Sequence, residues 1–315
     1  MRGRHGWDAD PAHMVYTYGL GNGIAVLIHA LSEPGEGVVI FSPVYPEFAQ
    51  KIRKAGREVH ESPLRFGPDG RFALDLAALE ASLTGRERLM LISSPHNPAG
   101  RIWTPEEQRA LADLCRRHDM ILLCDEVHHD LVMPGETHVP LPVAVPEAAD
   151  RLVMLTAASK TFNVAGTRLG TLTIADDALR ARVNRTIESL NIQPNILGVE
   201  VTRAAYSPEG AAWLDALRPY LAENIRVFRE GIAQIPGLSA MPMQSTYLAW
   251  VDFSPLGMSF EEVRRRIVDE AKIGPSPGPG FGTGGECAMR FNLGTQRARV
   301  QEAVARLQAA FADVQ

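Results

Sequence analysis

The sequence predicts an α/β protein whose large domain has a mainly parallel sheet with helices on both faces. Short apolar runs that are typical of buried strands cover residues 37–41, 88–93, 120–124 and 152–155. Segments with apolar residues at a helical spacing of about 3.6 lie between these runs. Such alternation of strand and helix indicates a parallel sheet built with right-handed crossovers.

Composition places the chain among globular proteins with a large core. It has 315 residues, of which 45% are hydrophobic and 22% charged, and this length favours two domains. The net charge of −5 gives no electrostatic case for nucleic-acid binding, and no apolar run reaches the ~18 residues of a membrane helix. Three widely spaced cysteines, Cys115, Cys124 and Cys287, form no disulfide framework, which favours a cytoplasmic protein.

A glycine-rich turn near the start of the chain is a candidate anion site. It covers residues 18–23, between a short strand signal at 14–16 and a helical pattern that begins at Ile24. Free N–H groups and the helix dipole would point at an anion bound there. The turn has neither the P-loop nor the GxGxxG pattern, so a plain tight turn is the alternative interpretation.

Polar side chains follow three of the predicted strands. Tyr45 lies between two prolines after the strand at 37–41, and Asn97 lies between two prolines after the strand at 88–93. Asp125 comes directly after the strand at 120–124. Ligands of open α/β sheets bind outside the carboxyl ends of strands, so these side chains are candidates for a site. Tyr45 and Asn97, which both lie in proline-flanked turns, could also be purely structural.

Acidic residues and histidines are concentrated just after Asp125, which raises the question of a metal. The group comprises Glu126, His128, His129 and Asp130. Their spacing matches no defined zinc motif, so no metal site is predicted.

One lysine and one arginine are prominent in the segment 156–170. Lys160 follows the strand at 152–155 among small residues, where an unprotonated amine could form a Schiff base. Arg168 could hold an anion of the same ligand through a charge-assisted fork. A surface lysine at a strand-to-loop junction is the alternative.

The C-terminal part of the chain has a different pattern. A helical region at 177–206 is broken near Pro194, and a further helix opens at Trp213. Residues 244–252 predict a strand, and Arg290 lies in an apolar strand where an inward guanidinium would need an anion. We place the boundary at residue 207, between a large domain at 1–207 and a smaller one at 208–315.

Four segments in this order resemble the fold-type I pyridoxal 5′-phosphate (PLP) enzymes of the class I/II aminotransferase superfamily. They are Ser-Pro-His-Asn-Pro-Ala-Gly at 94–100, Cys-Asp-Glu-Val-His at 124–128, the lysine segment at 156–170, and Arg-Phe-Asn-Leu at 290–293. The resemblance implies a PLP cofactor, a large PLP-binding domain, a smaller C-terminal α+β domain and a homodimer. Family members usually carry several dozen further residues ahead of this chain's first strand, so we expect part of the small domain to be missing, through truncation or a misassigned start.

The resemblance also implies a role for each candidate residue. Lys160 would carry the cofactor and act as the catalytic base, and Arg290 with Asn97 would bind the substrate carboxylate. Gly19, Leu20 and Arg168 would bind the phosphate of PLP, and Tyr45 would stack on its ring. Asn97 would contact the phenolic oxygen and Asp125 the ring nitrogen. His128 and Ser159 would make further contacts with the cofactor.

Two features resemble the cystathionine β-lyase-like branch, the MalY/PatB-type C–S lyases. His128 stands where aminotransferases of the family commonly have tyrosine, and residues 245–250 read Ser-Thr-Tyr-Leu-Ala-Trp. This implies cleavage of cystathionine or a cysteine S-conjugate to thiol, pyruvate and ammonia. Arg168 favours an aminotransferase instead, whereas Ala157, where many aminotransferases have serine, favours the lyase. A truncated or regulatory PLP-fold protein is a third possibility.

Overall fold

The computed structural model describes residues 1–314. Seven strands of this part of the chain form the central sheet. In sheet order they are β1 (Met14–Thr17), β9 (Gly170–Thr173), β8 (Leu152–Thr156), β7 (Ile121–Asp125), β6 (Glu87–Ser93), β2 (Gly37–Ile40) and β3 (Glu58–Glu61). A small ribbon of β4 (Arg65–Phe66) and β5 (Phe72–Ala73) lies apart from this sheet.

The middle of the sheet is parallel, as predicted. The pairs β2–β3, β2–β6, β6–β7 and β7–β8 are parallel, whereas β9 pairs antiparallel with both β8 and β1. The register places Ser93 opposite Asp125 and Asp125 opposite Leu155. The carboxyl ends of β6, β7 and β8 therefore meet at one edge of the sheet, which is where this fold class places its ligands.

Helices cover both faces of the sheet, because alternate strand residues enter different hydrophobic clusters. Val38 and Ile40 belong to one cluster, and Val39 and Phe41 to the other. The first face packs against α2 (Leu20–Leu31), α3 (Glu47–Lys54) and α7 (Asp177–Ser189), and the second against α4 (Leu76–Ser82), α5 (Pro105–Arg117) and α6 (Leu141–Ala144). Helix α5 begins with a capping box, in which Thr104 is the N-cap and Glu107 its partner.

The C-terminal part has its own antiparallel sheet and its own core. The sheet order is β10 (Leu248–Asp252), β12 (Ala288–Asn292) and β11 (Ser276–Pro277), and the covering helices are α9 (Pro208–Ile232), α10 (Phe260–Arg265) with a π-helical extension, and α11 (Arg297–Ala310). The remaining helices are α1 (Arg2–His5) and α8 (Ile196–Ala205). The predicted break near Pro194 is confirmed, since α7 ends at Ser189 and α8 begins at Ile196.

Two predicted boundaries are wrong. Helix α9 begins at Pro208 rather than Trp213, because Ser207 caps it through a bond from the Gly210 N–H. Strand β10 begins at Leu248, not 244. The preceding residues are irregular because Ser245 N–H donates to the Gly100 carbonyl and Thr246 has a φ of 66°. No helix among residues 1–314 is both long and apolar enough to cross a membrane.

Candidate active site

A cavity of about 790 Å³ opens at the carboxyl edge of the central sheet. We call it the central cavity. Its wall contains the nine residues predicted to bind the cofactor: Gly19, Leu20, Tyr45, Asn97, Asp125, His128, Ser159, Lys160 and Arg168. These residues come from segments spread across about 150 positions of the chain, so the fold gathers them in one place.

Asp125 is a buried acidic group in the wall of the central cavity. It is the last residue of β7, rather than the residue after that strand, and its side chain is buried. Burial raises the pKa of this carboxyl group to about 6, although a hydrogen bond from the Val127 N–H at 3.1 Å and the charge of Lys160 act in the opposite direction. A buried carboxylate of this kind would be stabilised by a cation, such as a protonated ring nitrogen, bound beside it.

Arg290 points inward, toward Asn97. Its Nη1 donates to Asn97 Oδ1 at 2.8 Å, and its Nη2 donates to Ser276 Oγ at 3.1 Å. The guanidinium carbon lies 4.8 Å from the centroid of the Phe281 ring. Burial lowers the pKa of Arg290. None of these contacts supplies a negative charge, so the guanidinium is available to a carboxylate ligand.

His128 is buried at the wall of the central cavity. Burial lowers its pKa to about 3, and the charges of Lys160 and Arg290 contribute, so the ring is neutral. Neither ring nitrogen has a hydrogen-bond partner within residues 1–314, and the ring meets that of Tyr247 edge-on at 6.0 Å. A buried imidazole without partners is suited to a hydrogen bond with a bound molecule.

Lys160 lies in a compact turn that follows β8. Phe162 N–H donates to Ala158 O and Val164 N–H to Ser159 O, each at 3.0 Å, and these bonds fix the backbone on both sides of the lysine. The side chain is half-buried. It also borders a second cavity of about 310 Å³, so it stands between two spaces.

The outer end of the central cavity is the N-terminus of α2. Gly19 caps this helix with φ 77° and ψ 160°, a conformation open essentially to glycine alone. Gly170 lies against it: a Cβ there would come within 2.8 Å of the Leu20 nitrogen. Arg168, which is exposed, completes this end. Backbone N–H groups, a helix dipole and a guanidinium together make an anion site.

Sequence reasoning missed one pair of charged residues in the wall. Tyr45 Oη donates to Glu47 Oε1 at 2.9 Å, and Lys51 Nζ lies 2.6 Å from Glu47 Oε2. Burial opposes ionisation of Glu47, but the bonds from Lys51 and Tyr45 outweigh it and lower the pKa of Glu47. Burial raises the pKa of the Tyr45 hydroxyl. The available signal was the four-residue spacing of Glu47 and Lys51, directly after Tyr45.

Comparison with known proteins agrees with this architecture. The sequence profile of aminotransferase class I and II matches residues 2–307. The chain belongs to this family. It is 34% identical to cystathionine beta-lyase PatB of Bacillus subtilis over 98% of this chain and 80% of that protein. It is 34% identical to the protein MalY of Escherichia coli over 90% of this chain and 73% of that protein.

A solved structure of the family is also similar over nearly the whole chain. Cystalysin from Treponema denticola, whose crystal structure contains a pyridoxal 5′-phosphate cofactor, superposes with a TM-score of 0.95. The match covers 99% of this chain and 80% of that chain, at 31% sequence identity. The predicted family and fold class are therefore confirmed.

Proposed function

We propose that this protein is a PLP-dependent C–S β-lyase that cleaves cystathionine or cysteine S-conjugates to thiol, pyruvate and ammonia. The observation that carries the proposal is the central cavity, which joins Lys160, a buried Asp125 and a partnerless His128 in one wall. A relative named as a cystathionine β-lyase matches 98% of the chain at 34% identity.

The residues of the central cavity fit PLP in charge and shape. The exposed end offers the α2 N-terminus and Arg168 to the phosphate group, and the buried end offers Asp125 to the ring nitrogen. His128 and Asn97 share the cavity wall with Asp125 and would hold the phenolic oxygen, and Tyr45 would pack on the ring. Bound there, the cofactor supplies an aldehyde for the substrate's amino group and a ring that withdraws electrons from its Cα.

The chain's own groups would then perform positioning and proton transfer. Arg290 holds the substrate carboxylate, and its bond to Asn97 fixes the direction of the guanidinium. Lys160 Nζ takes the proton from Cα as general base. The Cβ–S bond of the substrate breaks and the sulfur leaves as thiolate. One water is consumed overall, and one thiol, one pyruvate and one ammonium ion are formed.

The test is an assay with an S-alkyl cysteine and PLP-loaded protein. Wild type should release thiol and pyruvate in equal amounts, and Lys160→Ala should lose at least about 100-fold in rate, because it lacks the base. Lys54→Ala, which removes another lysine from the cavity wall, is the matched control and should keep most of the activity. Full activity in Lys160→Ala would contradict the proposal.

Arg168 supports a second candidate, an aminotransferase that uses the same cavity. Both reactions need Cα proton removal, after which an aminotransferase returns the proton to the cofactor rather than expelling the Cβ group. In that case, turnover would depend on an added ketoacid.

A homodimer and a cytoplasmic location complete the proposal. Helix α8 exposes Ile196, Leu197 and Val199 on its surface, and a second copy of the chain could cover such apolar side chains. Light scattering after gel filtration should give twice the chain mass of 34.4 kDa, whereas a value equal to it would contradict the dimer.

The cysteines support the cytoplasmic location. The thiols of Cys115 and Cys124 are buried and form no disulfide, as expected in a reducing compartment.

We further propose that the domain boundary lies at residue 207. Helix α9 begins one residue later, and its apolar buried side chains share a hydrophobic cluster with Ala249 and Val251 of β10 and with Met289 and Phe291 of β12. This shared cluster supports the proposed division into 1–207 and 208–315.

A further inference from the structure

Three side chains with metal-binding atoms converge behind the wall of the central cavity. We call His5, His129 and Asp130 the histidine cluster. His5 Nε2 lies 2.8 Å from Asp130 Oδ1, and His129 Nε2 lies 3.2 Å from Asp130 Oδ2. One ligand atom from each residue can be chosen so that all three lie within 4.8 Å of one another. The side chains are nearly inaccessible: their exposed fractions are 8% for His5, 0% for His129 and 4% for Asp130.

The tautomer of His129 makes this arrangement unusual. Its Nδ1 contacts the carbonyl oxygen of Glu126, which can only accept a hydrogen bond, so Nδ1 carries the hydrogen. In the neutral ring, the lone pair of Nε2 then faces Asp130 Oδ2, which is also an acceptor. Neither atom has a hydrogen-bond partner in the described chain. Two buried acceptors 3.2 Å apart require a cation between or beside them, either a proton or a metal ion.

We propose that the histidine cluster binds a divalent transition metal ion of zinc type. Nε2 of His5, Nε2 of His129 and the carboxylate of Asp130 would be the ligands, and a fourth position would remain open. Zinc takes such nitrogen and oxygen ligands at about 2.0–2.1 Å, which separates tetrahedral ligand atoms by about 3.4 Å. The observed separations of 2.8 and 3.2 Å run to the two different oxygens of Asp130 and are shorter than this value, so the ligand atoms would move slightly apart when the ion binds.

The surroundings of the histidine cluster supply the support that metal ligands need. The bond from His129 Nδ1 to the Glu126 carbonyl holds the ring with Nε2 toward the ion. His138 lies nearby, with its Nε2 bound to Glu126 Oε2 at 3.0 Å, but it is not one of the three residues whose ligand atoms converge. Its ring centroid is 6.2 Å from that of His5.

The ion would connect three parts of the molecule. His5 lies in α1, 125 positions before Asp130, and the neighbouring Arg4 is bound to Asp215 of α9 at 2.7 Å. His129 follows His128, which lines the central cavity. The ion would therefore tie the N-terminal helix to the backbone next to His128. Motif spacing could not predict it, because one ligand is remote in sequence.

Zinc binding by the intact, cofactor-loaded protein tests this proposal. After dialysis against a chelator, Zn²⁺ is added and followed by calorimetry and by metal analysis. Wild type should bind one tight ion per chain, and His5→Gln and His129→Gln should each weaken binding by more than about 10-fold. His138→Gln, an adjacent buried histidine outside the ligand set, is the matched control and should bind like wild type. Circular dichroism checks that each variant is folded.

Substitution with Co²⁺ gives a second readout that does not depend on activity. Tetrahedral coordination should produce visible absorption bands in wild type and in His138→Gln, and these bands should be lost in His5→Gln. His5 lies on the short helix α1 at the start of the chain, outside the two domain cores, so this variant should fold even where His129→Gln does not. Zinc affinity that is equal in wild type and His5→Gln would overturn the proposal and leave a proton as the cation. Equal loss in His138→Gln would overturn the ligand assignment.

Discussion

The two ends of the central cavity differ in burial, and the difference separates two kinds of electrostatic control. At the inner end, Asn97, Asp125 and His128 are buried, and neighbouring groups fix their orientation or their charge. At the outer end, Arg168 is exposed and backbone N–H groups dominate. Charges interact strongly where water is excluded and weakly where water and salt screen them. The inner end is therefore suited to controlling reactivity, and the outer end to holding an anion.

The largest expected effect follows from neutralising the inner end. Asp125→Asn keeps the shape of the side chain but removes the charge that would stabilise a protonated ring nitrogen. We expect β-elimination to slow by about 100- to 1000-fold, the range typical of losing one preorganised electrostatic contact. Steady-state kinetics with an S-alkyl cysteine measures this loss. Asp150→Asn, which changes a carboxylate in exposed ion pairs with Arg116 and Arg151, should stay within about twofold.

The pH dependence of stability gives a second test of the inner end. In the cofactor-free protein, the folded-state pKa of Asp125 is about 6, above its ordinary value of 3.8, because the carboxyl group is buried. The native state therefore holds this proton more tightly than the unfolded state, and the contribution of Asp125 to stability falls as pH rises from about 4 to about 6.

The corresponding measurement is denaturant unfolding of wild type and Asp125→Asn across this pH range. The free energy of unfolding of wild type relative to the variant should fall by about 2 kcal/mol between pH 4 and pH 7. If the difference in unfolding free energy between the two proteins does not change with pH, burial does not raise the pKa of Asp125.

A smaller effect is expected at the outer end. Arg168→Gln removes one exposed cation from the proposed phosphate site, so PLP affinity should fall by about 10-fold at low salt. The variant should also lose part of the salt dependence of PLP binding, because the charge of Arg168 is exposed and salt screens its attraction to the phosphate. Equilibrium dialysis at two salt concentrations measures both quantities. Arg182→Gln, an exposed arginine on α7 outside the cavity, should behave as wild type. An unchanged affinity in Arg168→Gln would place the anion elsewhere.

Most residues at the inner end of the central cavity were predicted from the sequence, because apolar strand patterns show where each strand ends. Asp125 and Asn97 follow apolar runs, and parallel pairing brings such positions together at one edge. The strand pattern alone left the direction of Arg290 open, because a strand has two faces, and only the resemblance to the family implied that the guanidinium points inward.

Contacts between remote segments were not predictable from local pattern. His5 meets Asp130 across 125 positions, and nothing in the short polar N-terminal segment indicates that partner. Helix boundaries were uncertain for a related reason. The start of α9 is set by the Ser207 cap and by Pro208, whereas the apolar spacing alone pointed to Trp213.

The most direct measurement is the ketoacid dependence of turnover on an S-alkyl cysteine. Thiol and pyruvate are quantified with PLP-loaded wild-type protein, first without and then with added 2-oxoglutarate. The β-lyase account predicts one pyruvate per thiol without any ketoacid, and no gain in thiol when 2-oxoglutarate is added. Turnover that appears only with 2-oxoglutarate would contradict it and identify the protein as an aminotransferase.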